Sequence, residues 1–552
     1  MTADLRAGGA REKWATWAVW LLLLLAGAWH AAALAWPFAV TLEPWLRPGE
    51  PVAGLHGLSL AVLVAALVRA PSAGAAAARA GVYATAWLVG TFWWLFISLH
   101  TVGGVAAPLS AFAVGALAAF LALDYALAAA LWWHWQRRLG RGAAVWAFAA
   151  CWTLAEVARG VLWTGFPWGA GGYAQIDALG WLAPWVGVYG VGAVAALLAA
   201  AVVLAPGVWR WAALGVALGL WLVPAAGPWL AARLPEHTQS AGTLPVRLLQ
   251  GAIAQDVKFD AEAGIPLALR WYGQQIVQAS ADPALAGGLV VAPETAIPLL
   301  PQDIDPDYWR ALGAAVRTGH AAVLLGVPLG GFSDGYANSV VGWVPGGPAP
   351  EPGVDPFTHH SRYRYDKHHL VPFGEFVPPG FRWFTELMFN PGGYFERGPL
   401  VQPPFVWAGQ RIAPNICYED LFGEELAAGF RDPVQAPTVL VNVSNIAWFG
   451  DTVAIDQHRH ISRMRALELG RPMVRATNTG STAVIDHRGR VQAELPRWQR
   501  GVLDATAQGR RGRTPYAAWA SRWGHAPLVA GCLLVLVWAA WAASPRRRSR
   551  AP

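Results

Sequence analysis

The stretch WLAPWVGVYGVGAVAALLAAAVVLA, residues 181–205, contains no charged side chain. About 20 apolar residues in a helix cross the roughly 30 Å hydrocarbon core of a bilayer, so this stretch predicts a transmembrane helix. Together with seven further apolar stretches it predicts a polytopic α-helical bundle of about eight spans. The other seven predicted spans are residues 14–36, 52–69, 80–100, 107–135, 143–161, 208–226 and 526–543.

The composition agrees with a membrane protein that also has a sizeable soluble part. Of the 552 residues, 55% are hydrophobic and 14% are charged, whereas soluble domains carry about 25% charged residues. The 33 tryptophans suit membrane–water interfaces. These values exclude a disordered chain and a fully soluble enzyme. The net charge of +7 comes from Lys and Arg beside the apolar stretches, so it indicates topology and not nucleic-acid binding.

Basic residues mark the loops that we expect in the cytoplasm, since Lys and Arg accumulate on that side. They precede the first span, lie between the fourth and fifth spans and follow the last one, whereas residues 101–106 have none. Both termini are then cytoplasmic, and residues 230–525 are extracytoplasmic. The first span could instead be a cleaved signal peptide ending near Ala33-Leu34-Ala35. Cleavage would leave residues 230–525 on the same side.

Short apolar runs of strand length begin after Pro245, and stretches with helical character lie between some of them. Such alternation is typical of an α/β layered domain. We predict a bundle at 1–229, an extracytoplasmic α/β domain at 230–525, and a last span with a basic tail at 526–552. The predicted strands are 245–250, 289–292, 322–327, 339–343, 411–416, 438–443, 473–476 and 482–485; the predicted helices are 262–280, 305–319 and 454–470.

Three side chains of the α/β region are candidates for chemistry. Cys417 directly follows a predicted strand and is the only cysteine of that region; it is either a nucleophile or a small buried core residue. Glu294 ends another strand, where partial burial would suit a general base, or it lies exposed in a loop. Lys367 lies in a segment dense in charges and aromatics, and a lysine can stabilise an oxyanion.

A metal site is not expected. His368 and His369 are adjacent, a spacing that matches no standard metal site. Cys151, Cys417 and Cys532 are too far apart in sequence to form a disulfide framework or a metal knuckle. We therefore predict no metal site, and the family resemblance described below implies no other cofactor.

Several motifs together give the sequence a family resemblance. The order of a strand-end Glu, a Lys and a Cys resembles the nitrilase superfamily of carbon–nitrogen hydrolases. The sequence motifs resemble most closely those of its membrane branch, the apolipoprotein N-acyltransferases, over nearly the whole chain. The matching strings are WTGFPW at 163–168, APET at 292–295, KHHLVPFGE at 367–375, ICYE at 416–419, AWFGD at 447–451 and RMRALE at 463–468.

The resemblance implies a fold, a reaction and a location. The α/β domain would be an αββα sandwich in the periplasm of a bacterial cell with its spans in the inner membrane. Cys417, activated by Glu294, would take a fatty acyl chain from a glycerophospholipid such as phosphatidylethanolamine. Lys367 and the Tyr418 N–H would hold the oxyanion. The thioester would then acylate the α-amino group of the S-diacylglyceryl cysteine at the N-terminus of an apolipoprotein.

The resemblance also implies supporting and substrate-binding residues. Glu375 and Glu419 would position Lys367 or relay protons, and membership of an outer ion pair is the alternative for each. Two positions depart from the family pattern: Ile446 stands where Asp is common, and Phe259 where Trp is common. The remaining supporting candidates are Tyr418, Ser444, Asn445, Trp448 and Phe259.

An aromatic segment, residues 379–395, is predicted to face lipid. Trp383 and Phe384 belong to its dense apolar cluster, which suits the membrane interface, although a buried loop remains an alternative. In the fifth span, Glu156 and Arg159 have helical spacing and are more easily read as a structural pair than as a headgroup contact. Asp124 in the fourth span has no assignment.

Two other functions remain open from the residues alone. A membrane-tethered amidase would use the same Glu, Lys and Cys with water as the second nucleophile. A non-catalytic scaffold or transporter would need no cysteine beside a Glu–Lys pair, and the spans lack the broken midplane segments expected of transporters.

Overall fold

The computed structural model describes residues 2–331, 335–347, 363–378, 380 and 395–542. They form two compact units, one of residues 2–95, 107–234 and 525–542, the other of residues 96–106 and 235–524. The predicted segment around Trp383 and Phe384 and the basic tail after residue 542 lie outside the described residues.

The first unit is helical. Its α6 is bent at Gly187, where φ is +68°, and the long α4 coincides closely with the predicted fourth span. Its helices are α1 (Thr2–Leu34), α2 (Ala53–Val68), α3 (Ala73–Phe92), α4 (Ala107–Gln136), α5 (Arg141–Val161), α6 (Ala183–Leu204), α7 (Val208–Leu222), α8 (Ala226–Ala231) and α14 (Ala526–Ala542).

Only part of the predicted set of eight spans is confirmed. Among the described residues, four helical stretches are long and apolar enough to cross a membrane: Trp17–Leu34, Ala107–Gln136, Arg141–Thr164 and Gly180–Leu204. A fifth is possible if α14 and the preceding helix, α13 (Pro515–Trp523), count as one span bent by 91°. The apolar helices α2 and α7 are shorter than a full span. The predicted span 80–100 is interrupted, since α3 ends at Phe92 and a π-helical turn follows at Ile97–Val102.

The charged pair of α5 holds a loop of the first unit in place. Glu156 and Arg159 are both fully buried. The Gly171 N–H donates to Glu156 Oε1 over 2.7 Å. Arg159 donates to the carbonyl oxygens of Phe166 and Trp168 over 2.5 and 2.8 Å. Because these partners are backbone groups of the loop after α5, the contacts favour the structural interpretation of this pair.

The second unit contains two six-stranded sheets, ordered β12-β1-β2-β3-β4-β5 and β11-β10-β9-β8-β7-β6. Strands β1, β2 and β3 are parallel in the first sheet, and β7, β8 and β9 in the second. The strands are β1 (Thr238–Gln250), β2 (Leu289–Val291), β3 (Ala322–Gly331), β4 (Gly335–Trp343), β5 (Arg364–Asp366), β6 (Phe405–Trp407), β7 (Gln410–Ile416), β8 (Val439–Ser444), β9 (Met473–Thr477), β10 (Ala483–Ile485), β11 (Val491–Glu494) and β12 (Gly501–Gly512).

The two sheets pack face to face, with helices on both outer faces. The inner faces share one apolar cluster, in which Leu248 and Val291 of the first sheet meet Ile412, Val441 and Val474 of the second. Separate clusters cover the outer faces. The four layers agree with the αββα sandwich expected from the resemblance. The outer helices are α9 (Gly264–Ala281) and α10 (Pro306–Thr318) on one side, and α11 (Gly423–Ala428), α12 (Ala454–Leu469) and α13 on the other.

This layering places the candidate residues at strand ends. Parallel strands end at one edge of a sheet, where α/β domains usually place their sites. Glu294 follows β2, Lys367 follows β5, and Cys417 directly follows β7. Ser444 is the last residue of β8, and Asn445 comes next.

Candidate active site

Glu294 is held by donors on both carboxylate oxygens. Its side chain is buried, and the residue is 8% exposed. Asn338 Nδ2 donates to Oε1 over 2.7 Å, and the Asn445 N–H donates to Oε2 over 2.8 Å. Glu294 is therefore a fixed carboxylate in the interior, and the alternative of an exposed loop residue is wrong.

Lys367 lies between two carboxylates. Its Nζ is 3.4 Å from Glu294 Oε1 and 2.8 Å from Glu375 Oε1, and the residue is 1% exposed. Burial by itself would lower the pKa of Lys367, but the charges of Glu375 and Glu294 outweigh it and hold that pKa above its ordinary value. Lys367 is thus a permanent buried cation, and Asn338 Nδ2 also donates to Glu375 Oε1 over 2.9 Å.

Cys417 begins the short 3₁₀ helix Cys417–Leu421 and has a φ of +52°. A non-glycine residue in this left-handed region is strained, and such strain is common at functional sites. Burial and the charge of Glu294 raise the pKa of the Cys417 thiol to about 12, whereas the charge of Lys367 acts in the opposite direction. The thiol is therefore neutral near pH 7, and it needs a base in order to become a nucleophile.

Glu419 lies next to this group with its carboxylate surrounded by donors. Its oxygens accept from the N–H groups of Ile416 and His368, each over 2.6 Å, from the His369 N–H over 3.2 Å and from the Tyr365 hydroxyl over 2.9 Å. Burial raises the pKa of Glu419 to about 7 against the effect of these donors. The carboxylate ties the segment after β5 to the segment after β7, which carry Lys367 and Cys417.

Glu419→Gln is expected to destabilise the second unit by about 1–3 kcal/mol, since an amide nitrogen would replace one acceptor and leave buried N–H groups unpaired. Thermal unfolding in detergent measures the effect. Glu262→Gln, a change at an exposed position, is the matched control. Equal unfolding temperatures for the two variants would contradict this prediction.

Comparison with known proteins agrees with these observations. A family model described as carbon-nitrogen hydrolase matches residues 246–516, and one described as the apolipoprotein N-acyltransferase N-terminal domain matches residues 51–201. The apolipoprotein N-acyltransferase of Verminephrobacter eiseniae is 52% identical over 526 residues, 91% of this chain and 92% of that protein. The chain belongs to the apolipoprotein N-acyltransferase family.

A second relative and a solved structure extend this comparison. The apolipoprotein N-acyltransferase of Ralstonia nicotianae is 45% identical, over 90% of this chain and 89% of that protein. A solved CN-hydrolase superfamily structure from Xanthomonas campestris is 21% identical over 52% of this chain and 97% of that one, with a TM-score of 0.34. As a member of the apolipoprotein N-acyltransferase family, the chain is an acyltransferase of the nitrilase-like class.

The remaining sequence candidates have different surroundings in this N-acyltransferase. Ser444 is fully buried at the end of β8, and Asn445 contacts Glu294 through its backbone and Gln255 through its side chain, over 2.8 Å. The Tyr418 ring is buried against His369 and Phe422.

Two aromatic candidates are accessible on the second unit, which carries Glu294, Lys367 and Cys417 and is called the catalytic unit from here on. Phe259 is 52% exposed, and Trp448 is 38% exposed. The neighbouring departure from the family pattern, Ile446, is buried. The two aromatic rings are therefore available for contact with a substrate, whereas Ile446 fills space in the interior.

Sequence reasoning missed two polar residues of the site. Asn338 on β4 bridges Glu294 and Glu375, and the available signal was an amide side chain directly before the predicted strand 339–343. Lys258 is buried, and its Nζ donates to the Glu294 carbonyl oxygen over 3.3 Å. Burial lowers the pKa of Lys258 to about 8. Its place beside Phe259 in the sequence gave no indication that the cation points inward.

Proposed function

We propose that this acyltransferase moves a fatty acyl chain from a glycerophospholipid to the N-terminal α-amino group of an S-diacylglyceryl cysteine on an apolipoprotein. During the transfer the fatty acyl group is bound to Cys417 as a thioester. The observation that supports this best is the neutral thiol of Cys417, on a strained backbone, beside the fixed carboxylate of Glu294 and the buried cation of Lys367. The relatives' name supports the lipoprotein as acceptor.

In the first step Glu294 takes the thiol proton, and the Cys417 thiolate attacks the ester carbonyl carbon of the phospholipid. The ammonium of Lys367 and the backbone N–H of Tyr418 stabilise the oxyanion, the usual role of such donors in acyl transfer. The C–O bond then breaks. The lysophospholipid alkoxide leaves with the proton from Glu294, and the acyl chain remains on Cys417.

In the second step the amine of the acceptor attacks the thioester carbonyl. Glu294 takes a proton from the attacking nitrogen and returns it to the departing sulfur, so that an amide and a free Cys417 thiol result. No metal or other cofactor enters either step, because the thioester itself stores the acyl group.

Lys367 and its neighbours have separate tasks in this scheme. Glu375 and Asn338 hold the Lys367 ammonium within reach of Glu294.

The exposed rings of Phe259 and Trp448 provide apolar surface for the lipid substrates. We assign the same task to Trp383 and Phe384.

The proposed setting is the bacterial inner membrane, with about eight spans, a periplasmic catalytic domain at 230–525 and both termini in the cytoplasm. Phosphatidylethanolamine is the proposed donor. The basic residues that precede the first predicted span, lie between the fourth and fifth spans and follow the last one support this orientation.

The test is to incubate the purified protein in detergent with phosphatidylethanolamine and no acceptor, and to measure intact and peptide masses. We expect one fatty-acyl adduct, on the peptide with Cys417 and not on those with Cys151 or Cys532, removed by neutral hydroxylamine. Adding a diacylated lipopeptide should discharge the adduct and give an N-acylated peptide. Absence of an adduct from the folded protein, or discharge only to free fatty acid, would count against acyl transfer.

A further inference from the structure

The peptide group between Cys417 and Tyr418 is fixed from its carbonyl side. The Cys417 carbonyl oxygen lies 3.2 Å from His458 Nε2 and 3.3 Å from Asn442 Nδ2. A trans peptide is planar, so its C=O and N–H point in opposite directions. Whatever holds the Cys417 carbonyl therefore also sets the direction of the Tyr418 N–H.

The proton position on His458 follows from its partners. Arg475 Nη2, which can only donate, lies 3.1 Å from His458 Nδ1, so Nδ1 must accept. The ring proton is therefore on Nε2. That N–H is shared between Asp420 Oδ1, over 2.9 Å, and the Cys417 carbonyl. His458 therefore donates a hydrogen bond to the carbonyl oxygen of Cys417, the proposed nucleophile.

Further buried contacts prevent the His458 ring from turning. Asp420 Oδ2 accepts from the Ser462 hydroxyl and lies 3.4 Å from Arg475 Nη1. The same Arg475 nitrogen donates to the His458 carbonyl oxygen over 3.2 Å. Asp420, His458, Ser462 and Arg475 are all fully buried. Rotating the imidazole would leave buried charged groups without partners, which is strongly unfavourable in the protein interior.

We propose that Asp420, His458 and Arg475 form a positioning network that aims the Tyr418 N–H at the oxyanion. This inference rests on the proposed function, in which that N–H is an oxyanion donor. The positive φ of Cys417 is the reason that this peptide group needs support. The left-handed conformation is disfavoured for a non-glycine residue, so an unsupported peptide group would relax and turn its N–H away.

The test compares His458→Asn with His458→Gln. The Asn oxygen can still accept from Arg475, but the shorter side chain has no donor that reaches the Cys417 carbonyl. The Gln amide nitrogen can occupy the place of Nε2 and keep that donor. We expect single-turnover acylation by phosphatidylethanolamine to fall about 10²-fold in His458→Asn, the usual effect of losing one oxyanion donor. His458→Gln should remain close to the wild type.

Two further measurements separate aiming from general damage. Alkylation of Cys417 by iodoacetamide needs a nucleophilic sulfur but no oxyanion donor, so its rate should be unchanged in both variants. The phospholipid concentration for half-maximal acylation should be unchanged as well. If His458→Asn is too unstable to purify, Asn442→Ala removes the other donor to the same carbonyl and should give the same pattern.

The inference is overturned if His458→Asn acylates at the wild-type rate, if the two His458 variants lose the same activity, or if alkylation falls together with acylation. A wild-type protein that forms no adduct on Cys417 would instead reject the proposed function. The two failures are therefore distinguishable.

Discussion

Cys417→Ala is expected to remove N-acylation of a diacylated lipopeptide, with a fall of more than about 10⁴-fold, since loss of a covalent nucleophile leaves only binding and oxyanion stabilisation. The phospholipid should still bind, because the change removes one sulfur atom from a position that is only partly buried. Product mass spectrometry with saturating donor measures this fall, and no acyl adduct should form on the variant.

Matched variants identify the role of the sulfur. Cys417→Ser keeps the shape of the site and should form, slowly, an oxygen ester that resists neutral hydroxylamine. Cys151→Ala and Cys532→Ala change buried cysteines of the helical unit and should leave turnover unchanged. Substantial N-acylation by Cys417→Ala would show that the acyl chain does not pass through this residue.

The central strands of the catalytic unit could be predicted because they are buried on both faces. β8 is buried throughout, and its run VLVNV is apolar apart from Asn442, so the prediction of 438–443 was correct within one residue. The helix predicted at 454–470 is α12, Ala454–Leu469. In both cases the local sequence pattern and the tertiary environment demand the same side chains.

Edge and short strands could not be predicted from the same signals. β12, GVLDATAQGRRG, pairs with β1 at the sheet edge and is polar over much of its length, so its sequence lacks the apolar signature. β5 has only three residues, two of them charged. Its pairing with β4 positions Lys367, and that pairing is a tertiary effect that no local pattern records.

The candidate residues could be selected from the sequence together with Glu375 and Glu419, whereas other supporting residues were missed, for a related reason. Glu294, Lys367 and Cys417 stand out locally, as charged or reactive side chains directly after strands. Asn338 and His458 act through partners that are 44 and 41 positions away in the chain, Glu294 and Cys417 respectively. Only folding brings such residues together.

Glu294→Gln is expected to lower acyl transfer by about 10²–10⁴-fold, the range for loss of a general base. The Cys417 thiol has a pKa of about 12, which is far above neutral pH, so hardly any thiolate exists without the base. The amide keeps an oxygen that can accept from Asn338, but it cannot take a proton. Steady-state turnover at pH 7 measures the loss, and Glu375→Gln, which changes the carboxylate on the other side of Lys367, serves for comparison.

The pH dependence of alkylation tests the electrostatic part of this argument. The charge of Glu294 raises the pKa of Cys417, and that of Lys367 lowers it. Removing the Glu294 charge takes away one cause that raises the thiol pKa and leaves the effect of Lys367 in place, so the thiol pKa must fall and the rise of iodoacetamide alkylation with pH must shift to lower pH. Glu294→Gln should therefore be the poorer acyltransferase and yet hold more thiolate at alkaline pH. If alkylation shifts to higher pH, or not at all, Glu294 is not coupled to the sulfur as the site geometry requires.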